Sequence, residues 1–487
     1  MSAGNVNVGY NTADEAGASS ELILNDSASV TTTGSVAIAN DSTANGVVRM
    51  SGDTVMNVGT WIAVGNTFNR AGTGEMFLSG NAAVTAGTRL EVAYGGTGTL
   101  HIGDGTLTDN AVLTSTEPLA LGWGTIREDT STTPSTYVPV PTNARIDING
   151  GGTLVTAGII TGADVVTDVP ADFQSSVLNI DGGTLKANAN SDDFMTNAGG
   201  ALAFQANVLA GGAKIDTDGY SIVMNVPLTE DAMSTGGGLT KLGEGRLTLG
   251  GANTYTGGTT VEAGALYVAG SVSSDVVVDS GASVMGSGTI TGNVDLNGIF
   301  AVEFDGDTDT IDLLTVTGAL DLTGGSFSFA NVGGSAMDLG TYVFATYGSL
   351  TGNPITSVGI PGDWAIDYAY DYDGGTDNAI ALIVNSIVEP TQIPGDADGN
   401  EIVNAEDAKR LAENWGATTL NPLYTTFWQM GDFNGDNVVD AKDASIMAAN
   451  WGYGVTSETN PAGVPEPGMF ALLLGLALAG LARRVRR

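Results

Sequence analysis

Two stretches near the carboxyl end carry the residue types that hold metal ions. Residues 395–416 read GDADGNEIVNAEDAKRLAENWG and residues 431–452 read GDFNGDNVVDAKDASIMAANWG, a near-copy displaced by 36 positions. In the first copy Asp396, Asp398, Asn400, the carbonyl of Ile402, Asn404 and Asp407 fall at positions 1, 3, 5, 7, 9 and 12 of a twelve-residue loop. In the second the same positions hold Asp432, Asn434, Asp436, the carbonyl of Val438, Asp440 and Asp443. Calcium is a hard cation that takes six to eight oxygens, and this spacing curls a loop so that those oxygens converge. Two Ca2+ sites are therefore expected, the alternative being a pair of solvated Asp/Asn turns. Glu401 stands at position 6, where a sharp turn favours glycine. A left-handed backbone there would cost about 1–2 kcal/mol. Loop one is thus expected to bind more weakly than loop two, whose Asn437 tolerates that conformation better.

The loops need elements to position them. Behind each one, apolar residues recur at helical spacing: Ala408, Leu411, Ala412 and Trp415, then Ala444, Met447, Ala448 and Trp451. Each loop should open a short amphipathic helix whose stripe packs on the other, with the tryptophans in the core rather than displayed as binding aromatics. No helix is expected before either loop, and position 12 is Asp rather than Glu. With those two departures from an EF-hand, and with the duplication, the segment resembles a type I dockerin module. The resemblance implies calcium-dependent docking on a cohesin-like protein. Positions 10 and 11, which help choose the cohesin, are Ala405 and Glu406 in one copy and Ala441 and Lys442 in the other. Neither pair repeats the hydroxyl residues familiar in cellulosomal dockerins.

Upstream, the chain is repetitive. Alternating apolar segments begin at Leu22, Val48, Met76 and Leu100, at steps of 26, 28 and 24 residues, and a second set begins at Val36, Ile62, Leu90 and Leu119. Val30, Met56 and Val84 sit between them. Three short strands per unit of some 26 residues, none able to bury a face alone, is what a coil of a parallel β-solenoid requires. An antiparallel sandwich is the alternative, but two-residue hairpin turns would not hold such a steady repeat. Period two points Leu22, Leu24, Met76 and Leu78 inward and Ile23 and Phe77 outward. The pattern is expected to continue at Ile146, Leu178 and Leu247, with a Thr/Pro-rich insertion over residues 131–142 read as an exposed loop. Glycine, 71 of 487 residues, is expected at the corners.

Residues 236–268, GGGLTKLGEGRLTLGGANTYTGGTTVEAGALYV, closely resemble the autotransporter-associated β-strand repeat of bacterial surface proteins. That resemblance implies a right-handed β-helix and a surface role, and supplies no activity. The last 24 residues join a proline-stiffened break at 464–467 to an apolar run at 469–482 and four arginines. As a helix the run would be roughly 21 Å long, short of a hydrocarbon core of about 30 Å, with the arginines snorkelling on the cytoplasmic side. Together these features resemble a PEP-CTERM sorting signal. The resemblance implies a transient membrane anchor, an exosortase-type processing enzyme with cleavage near 465–467, and a Gram-negative-type envelope or matrix. Residues 1–10 show neither a basic start nor an apolar run, so an export signal is expected upstream of the sequence given.

Composition sets the exclusions. Sixteen Lys and Arg face 54 Asp and Glu, for a net charge of −38, which rules out nucleic acid as a main partner. The absence of cysteine removes disulfides and thiolate chemistry, and the lone histidine, His101, removes histidine metal clusters. The acidic runs Asp305, Asp307, Asp309, Asp312 and Asp371, Asp373, Asp377 read as solvated turns before they read as calcium ligands or catalytic acids.

The expected fold is mainly β: a right-handed parallel β-helix, a small α module of two calcium loop-helix units, and a C-terminal transmembrane helix. The expected segments are solenoid repeats over 1–235, the recognised repeat and solenoid end over 236–387, linkers at 388–394 and 454–463, the docking module over 395–453 and the tail over 464–487. The function read from these parts is a secreted, non-enzymatic surface scaffold or adhesin. The alternative is a polysaccharide-binding or polysaccharide-degrading subunit attached through its dockerin.

Overall fold

The computed structural model describes residues 2–9, 19–39, 45–66, 72–94, 96–106, 108–123, 125–129, 136–140, 142–161, 174–197, 203–354, 356–360, 364–372, 374, 378–385, 393–421, 424 and 426–454. Two compact units result. One comprises Met1–Phe304, Thr310–Ala330 and Gly340–Asn385; the other comprises Asp305–Asp309, Asn331–Leu339 and Ser386–Arg487.

In the larger unit each turn of chain lays short strands on those of the turn before, in parallel, as in a β-solenoid. A first sheet runs from Ser2–Ala3 to Ser349–Thr351, a second from Val6–Val8 to Thr356–Val358 and a third from Ser19–Leu24 to Leu228–Glu230. The sequence columns are the ladder registers. Leu22 pairs with Val48, Val48 with Met76 and Met76 with Leu100 in the third sheet. Val30, Met56 and Val84 stack in the first, and Val36, Ile62 and Leu90 in the second. Met76 and Leu78 are buried while Ile23 is 53% exposed, as the alternation demands.

Three expectations are corrected. Ile146 and Leu178 do continue the third sheet, but Leu247 pairs with Ile222 and Leu266 in the second. The third sheet continues instead through Ala206 and ends at Leu228. The insertion read as a loop is partly sheet, Thr125–Asp129 pairing antiparallel with Thr136–Val140 in an isolated hairpin; Pro139 is tolerated because a two-stranded ribbon has only edges. Finally, glycine serves more than corners. Gly98 lies inside a strand, where a Cβ would come within 2.2 Å of the Val64 carbonyl oxygen and 2.5 Å of the Ala93 nitrogen. Only a hydrogen fits where the second and third sheets meet that closely.

The coil shortens after the third sheet ends. Leu239, Thr259, Val276 and Val294 stack at steps of 20, 17 and 18 residues, and a fourth sheet, beginning with Ala252–Asn253 and running through short strands to the seven-residue Gly340–Thr346, takes the vacated side. It closes on two antiparallel strands, Ala379–Val384 and Ala365–Tyr370. Where the coil contracts, Lys241 is fully buried. Its Nζ donates to Thr217 Oγ1 at 2.8 Å and to the carbonyls of Leu242, Gly243 and Ala263 at 2.9, 2.6 and 3.1 Å, tying together three successive coils. Burial pulls its ammonium down to about 8 against the pull of Asp216 and Glu244.

Candidate metal centre and docking module

The smaller unit carries both loops and two helices, α1 (Ala405–Glu413) and α2 (Ala441–Asn450). Each helix starts inside its loop, because position 9 is an N-cap. Asn404 Oδ1 accepts from the Glu406 N–H at 2.7 Å and Asp440 Oδ1 from the Lys442 N–H at 2.8 Å. The position-12 carboxylates reach back to the cap N–H groups and complete a capping box in each copy.

Asp407 and Asp443 are fully buried, and they do more than cap. Asp407 Oδ1 accepts from the N–H groups of Ala397 and Asp398 at 2.9 and 3.2 Å, and Oδ2 from Asn404 at 2.8 Å. Asp443 repeats the set on Phe433, Asn434 and Asp440 at 2.8, 3.1 and 2.8 Å. Position 1 closes the turn in both copies. Asp396 takes the N–H groups of Gly399 and Glu401, and Asp432 those of Gly435 and Asn437, at 2.7 to 2.8 Å. Each loop is thereby curled by its own end residues.

The module is duplicated in its core as well. Ala397 and Phe433, Val403 and Val439, and Leu411 and Met447 are buried together at equivalent positions, with Met430 between them. Val439 exchanges backbone bonds with Gly416 and Ala417, and Val403 makes the matching pair with Gly452 and Tyr453. The two loop-helix units are therefore interlocked. Trp415 and Trp451 pack on this core, but they lie beyond the last turns of α1 and α2. Ala412 and Ala448, expected on the buried stripes, are exposed, so each stripe is one residue narrower than its spacing implied. A 3-10 turn, Trp428–Met430, precedes loop two. Its Trp428 donates Nε1–H to the Asp396 carbonyl at 2.6 Å, a support for loop one that the ligand pattern did not reveal.

Asp396, Asp398 and Asp407 place carboxylate oxygens within 4.8 Å of one another. Burial, then the charges of Asp407 and Asp396, push the Asp398 carboxyl above its ordinary value, against the Asn400 N–H and Arg410. Converging, mutually repelling oxygens on a closed loop fit a hard divalent cation, whose charge would relieve the crowding. In this structure Asn400 is exposed and its Oδ1 accepts from the Ile402 N–H at 2.8 Å, while Asn404 is half-buried with its Oδ1 on the Glu406 N–H. Glu401 and Asn437 both have a left-handed backbone, φ 63° and 60°, so the strain expected at position 6 is present. Loop two differs at position 5. Asp436 Oδ2 pairs with Lys442 Nζ at 2.8 Å and accepts from Asn434 Nδ2 at 3.1 Å. Its Oδ1 accepts from Val438 N–H at 3.1 Å. The Lys442 ammonium thus rests on one of the expected ligands of loop two.

Residues 394–459 match the dockerin type I domain. Dockerins bind calcium and dock on cohesins, and the crowded carboxylates of loop one are of the kind such a domain uses. Residues 239–268 match the passenger-associated-transport-repeat, within the coils that Lys241 ties together. Residues 463–487 match the PEP-CTERM protein-sorting motif, which marks an exported, exosortase-processed cell-surface protein. No curated protein matches the chain. The expected membrane run at 469–482 lies outside the described residues, among which no helix is long and apolar enough to cross a membrane.

The remaining candidates are on the solenoid side of the sequence. His101 Nδ1 lies 3.0 Å from Asp147 Oδ2, and its ring stacks on Phe77 with centroids 4.5 Å apart. Burial alone would raise the Asp147 carboxyl, but hydrogen bonds from His101, Arg145 and Asn179 outweigh it and hold it at about 2. Asp305 accepts from the Asp307 N–H two residues on at 2.8 Å, as a turn residue does, whereas Asp307 and Asp309 accept from the distant Gly334 and Asp338 N–H groups at 2.8 and 2.7 Å. Asp312 instead faces Tyr267, at 3.4 Å, and Glu303. Asp371 accepts from Gly374 at 2.6 Å, and Asp373 and Asp377 lie outside the described residues.

Proposed function

We propose that the chain is a non-catalytic extracellular scaffold: a right-handed β-solenoid held at the cell surface, carrying a two-calcium dockerin that fastens it to a cohesin-bearing partner. The observation that carries this reading is the closed, duplicated architecture of the two loops, with buried Asp407 and Asp443 each gathering three backbone N–H groups. Such loops are pre-shaped, so calcium would enter loops already curled and add its bonds to α1 and α2 as they already stand. Ligands at Asp396, Asp398, Asn400, Ile402, Asn404 and Asp407, and at Asp432, Asn434, Asp436, Val438, Asp440 and Asp443, would supply the oxygens. Against catalysis by the lone histidine stands its engagement with Asp147 and Phe77, which leaves it a rung of a ladder rather than a base beside a nucleophile.

Processing at the tail by an exosortase would free the solenoid and dockerin from a transient membrane anchor and leave them at the envelope or in its matrix. The reading is tested by capturing the full chain on immobilised type I cohesins with calcium and with chelator. Calcium-dependent capture that Asp407→Ala and Asp443→Ala abolish is the expected result. Reducing ends released from a polysaccharide by the purified chain would overturn the non-catalytic part of it.

A further inference from the structure

The third sheet stops half-way through a strand. Between Ala203–Val208 and the coil before it the ladder runs for six residues, from Ser175↔Ala203 to Ile180↔Val208. To the next coil it runs for three, Ala206↔Leu228, Asn207↔Thr229 and Val208↔Glu230. Continuing that register backwards would place Pro227 opposite Gln205. Proline has no N–H for a ladder, so pairing ends there. The missing half-strand leaves a recess of about 380 Å³, within the range of small-ligand sites.

Its walls are chemically mixed. Phe204 and Pro227 supply apolar surface. Asn207 is fixed between its neighbours: its Nδ2 donates to Asn179 at 2.9 Å and its Oδ1 accepts from Thr229 at 3.1 Å. Gln205 is exposed, and no hydrogen bond holds its amide among the described residues. Glu230 accepts from the Thr256 hydroxyl and, at 2.7 Å, from the Gly236 N–H, which keep its carboxyl below the ordinary value. Asp231 adds a second carboxylate, and no cationic side chain lines the recess.

Two carboxylates without a cation repel a phosphate, a sulfate or a uronate. What suits the recess is a ligand rich in hydroxyl donors, with C–H faces for Phe204 and Pro227 and hydroxyls for Glu230, Gln205 and Thr229. We propose that it binds one or two residues of a neutral or amino-bearing glycan. It is a short site, not a track. Along the same outer row Asn179 and Asp147 are buried and joined to each other at 2.7 Å, so the sheet beyond Asn207 is closed to a longer chain. The proposal concerns the solenoid only and does not depend on calcium or on the dockerin.

The test is calorimetric titration of the full chain, in chelator, with cellotetraose, mannotetraose and the tetramer of glucosamine, and with tetragalacturonate as the anionic probe. At least one of the first three binds with a stoichiometry of one, and tetragalacturonate does not. Gln205→Ala, at an exposed side chain, weakens that binding by about fivefold, the worth of one neutral hydrogen bond, and Glu230→Gln weakens it by about tenfold or more. The proposal is overturned if none of the three binds at millimolar concentration, if tetragalacturonate binds as well as they do, or if either variant binds like the parent. Calcium titration of the same variants shows the dockerin intact in every case, so a failure here leaves the docking reading standing.

Discussion

The position-12 aspartates clamp their loops whether or not a metal is bound, and Asp443→Ala measures the clamp. The substitution removes the acceptor of three N–H groups, from Phe433, Asn434 and Asp440. The Phe433 N–H is buried and has no route to water, so orphaning it costs about 2–3 kcal/mol. The other two belong to residues that reach solvent and cost about 1 kcal/mol or less each. The sum is about 4 kcal/mol against the local stability of loop two and α2. At 1.36 kcal/mol per factor of ten, that is roughly a thousandfold faster opening. The assay is amide hydrogen exchange of the full chain in chelator, read over residues 431–454. Asp436→Ala is the contrast, since its exposed carboxylate accepts from only one backbone N–H and should leave metal-free protection within about tenfold of the parent. If Asp443→Ala changes protection by less than tenfold in chelator, the buried carboxylate is a ligand and nothing more, and the pre-shaped loop is wrong.

Three further outcomes are expected. Glu401→Gly relieves the left-handed strain at φ 63°, less the entropy of a more flexible unfolded chain, and should tighten calcium at loop one by about two- to fivefold in calorimetry; weaker binding would contradict the strain. Asp147, depressed from 3.8 to about 2, stabilises the folded solenoid fully above pH 4, and that contribution, about 2 kcal/mol, is lost as pH falls through 2. Asp147→Asn should therefore flatten the acid limb of the stability curve between pH 4 and 2, and an unchanged limb would remove Asp147 from the account. Gly98→Ala forces a methyl into backbone atoms 2.2 and 2.5 Å away and should cost about 3 kcal/mol or more in thermal unfolding. Gly4→Ala, with nothing within 4 Å, should cost far less, and equal effects would mean the sheets do not approach as described.

The registers of the solenoid were legible because each coil repeats the same apolar columns, and a parallel ladder has to align them. Leu22, Val48, Met76 and Leu100 needed only counting. Leu247 was misplaced for the same reason: its LTLGG segment has the apolar-x-apolar-glycine form of strands in both the second and third sheets, and nothing local says which sheet it joins. The end of the third sheet turns on Pro227, and one proline in a Gly-rich chain does not announce a contracted coil.

In the dockerin, ligand-type residues were readable because calcium restricts both their chemistry and their spacing. The roles those residues take in holding the loop were not. That Asp407 gathers N–H groups from Ala397, Asp398 and Asn404, or that Trp428 holds the Asp396 carbonyl, depends on backbone groups every residue possesses. The pairing of Lys442 with Asp436 joins residues six apart, a separation that a helical or strand period does not bring together.

The central claim is that both loops take calcium and that each is a site in its own right. Calorimetric titration of the full chain with Ca2+ should give two sites. Asp432→Ala, which removes the first ligand and turn-closing residue of loop two, should leave one, with α1 still protected in exchange. No heat from the parent chain, or a stoichiometry of two that survives Asp432→Ala, would contradict the account.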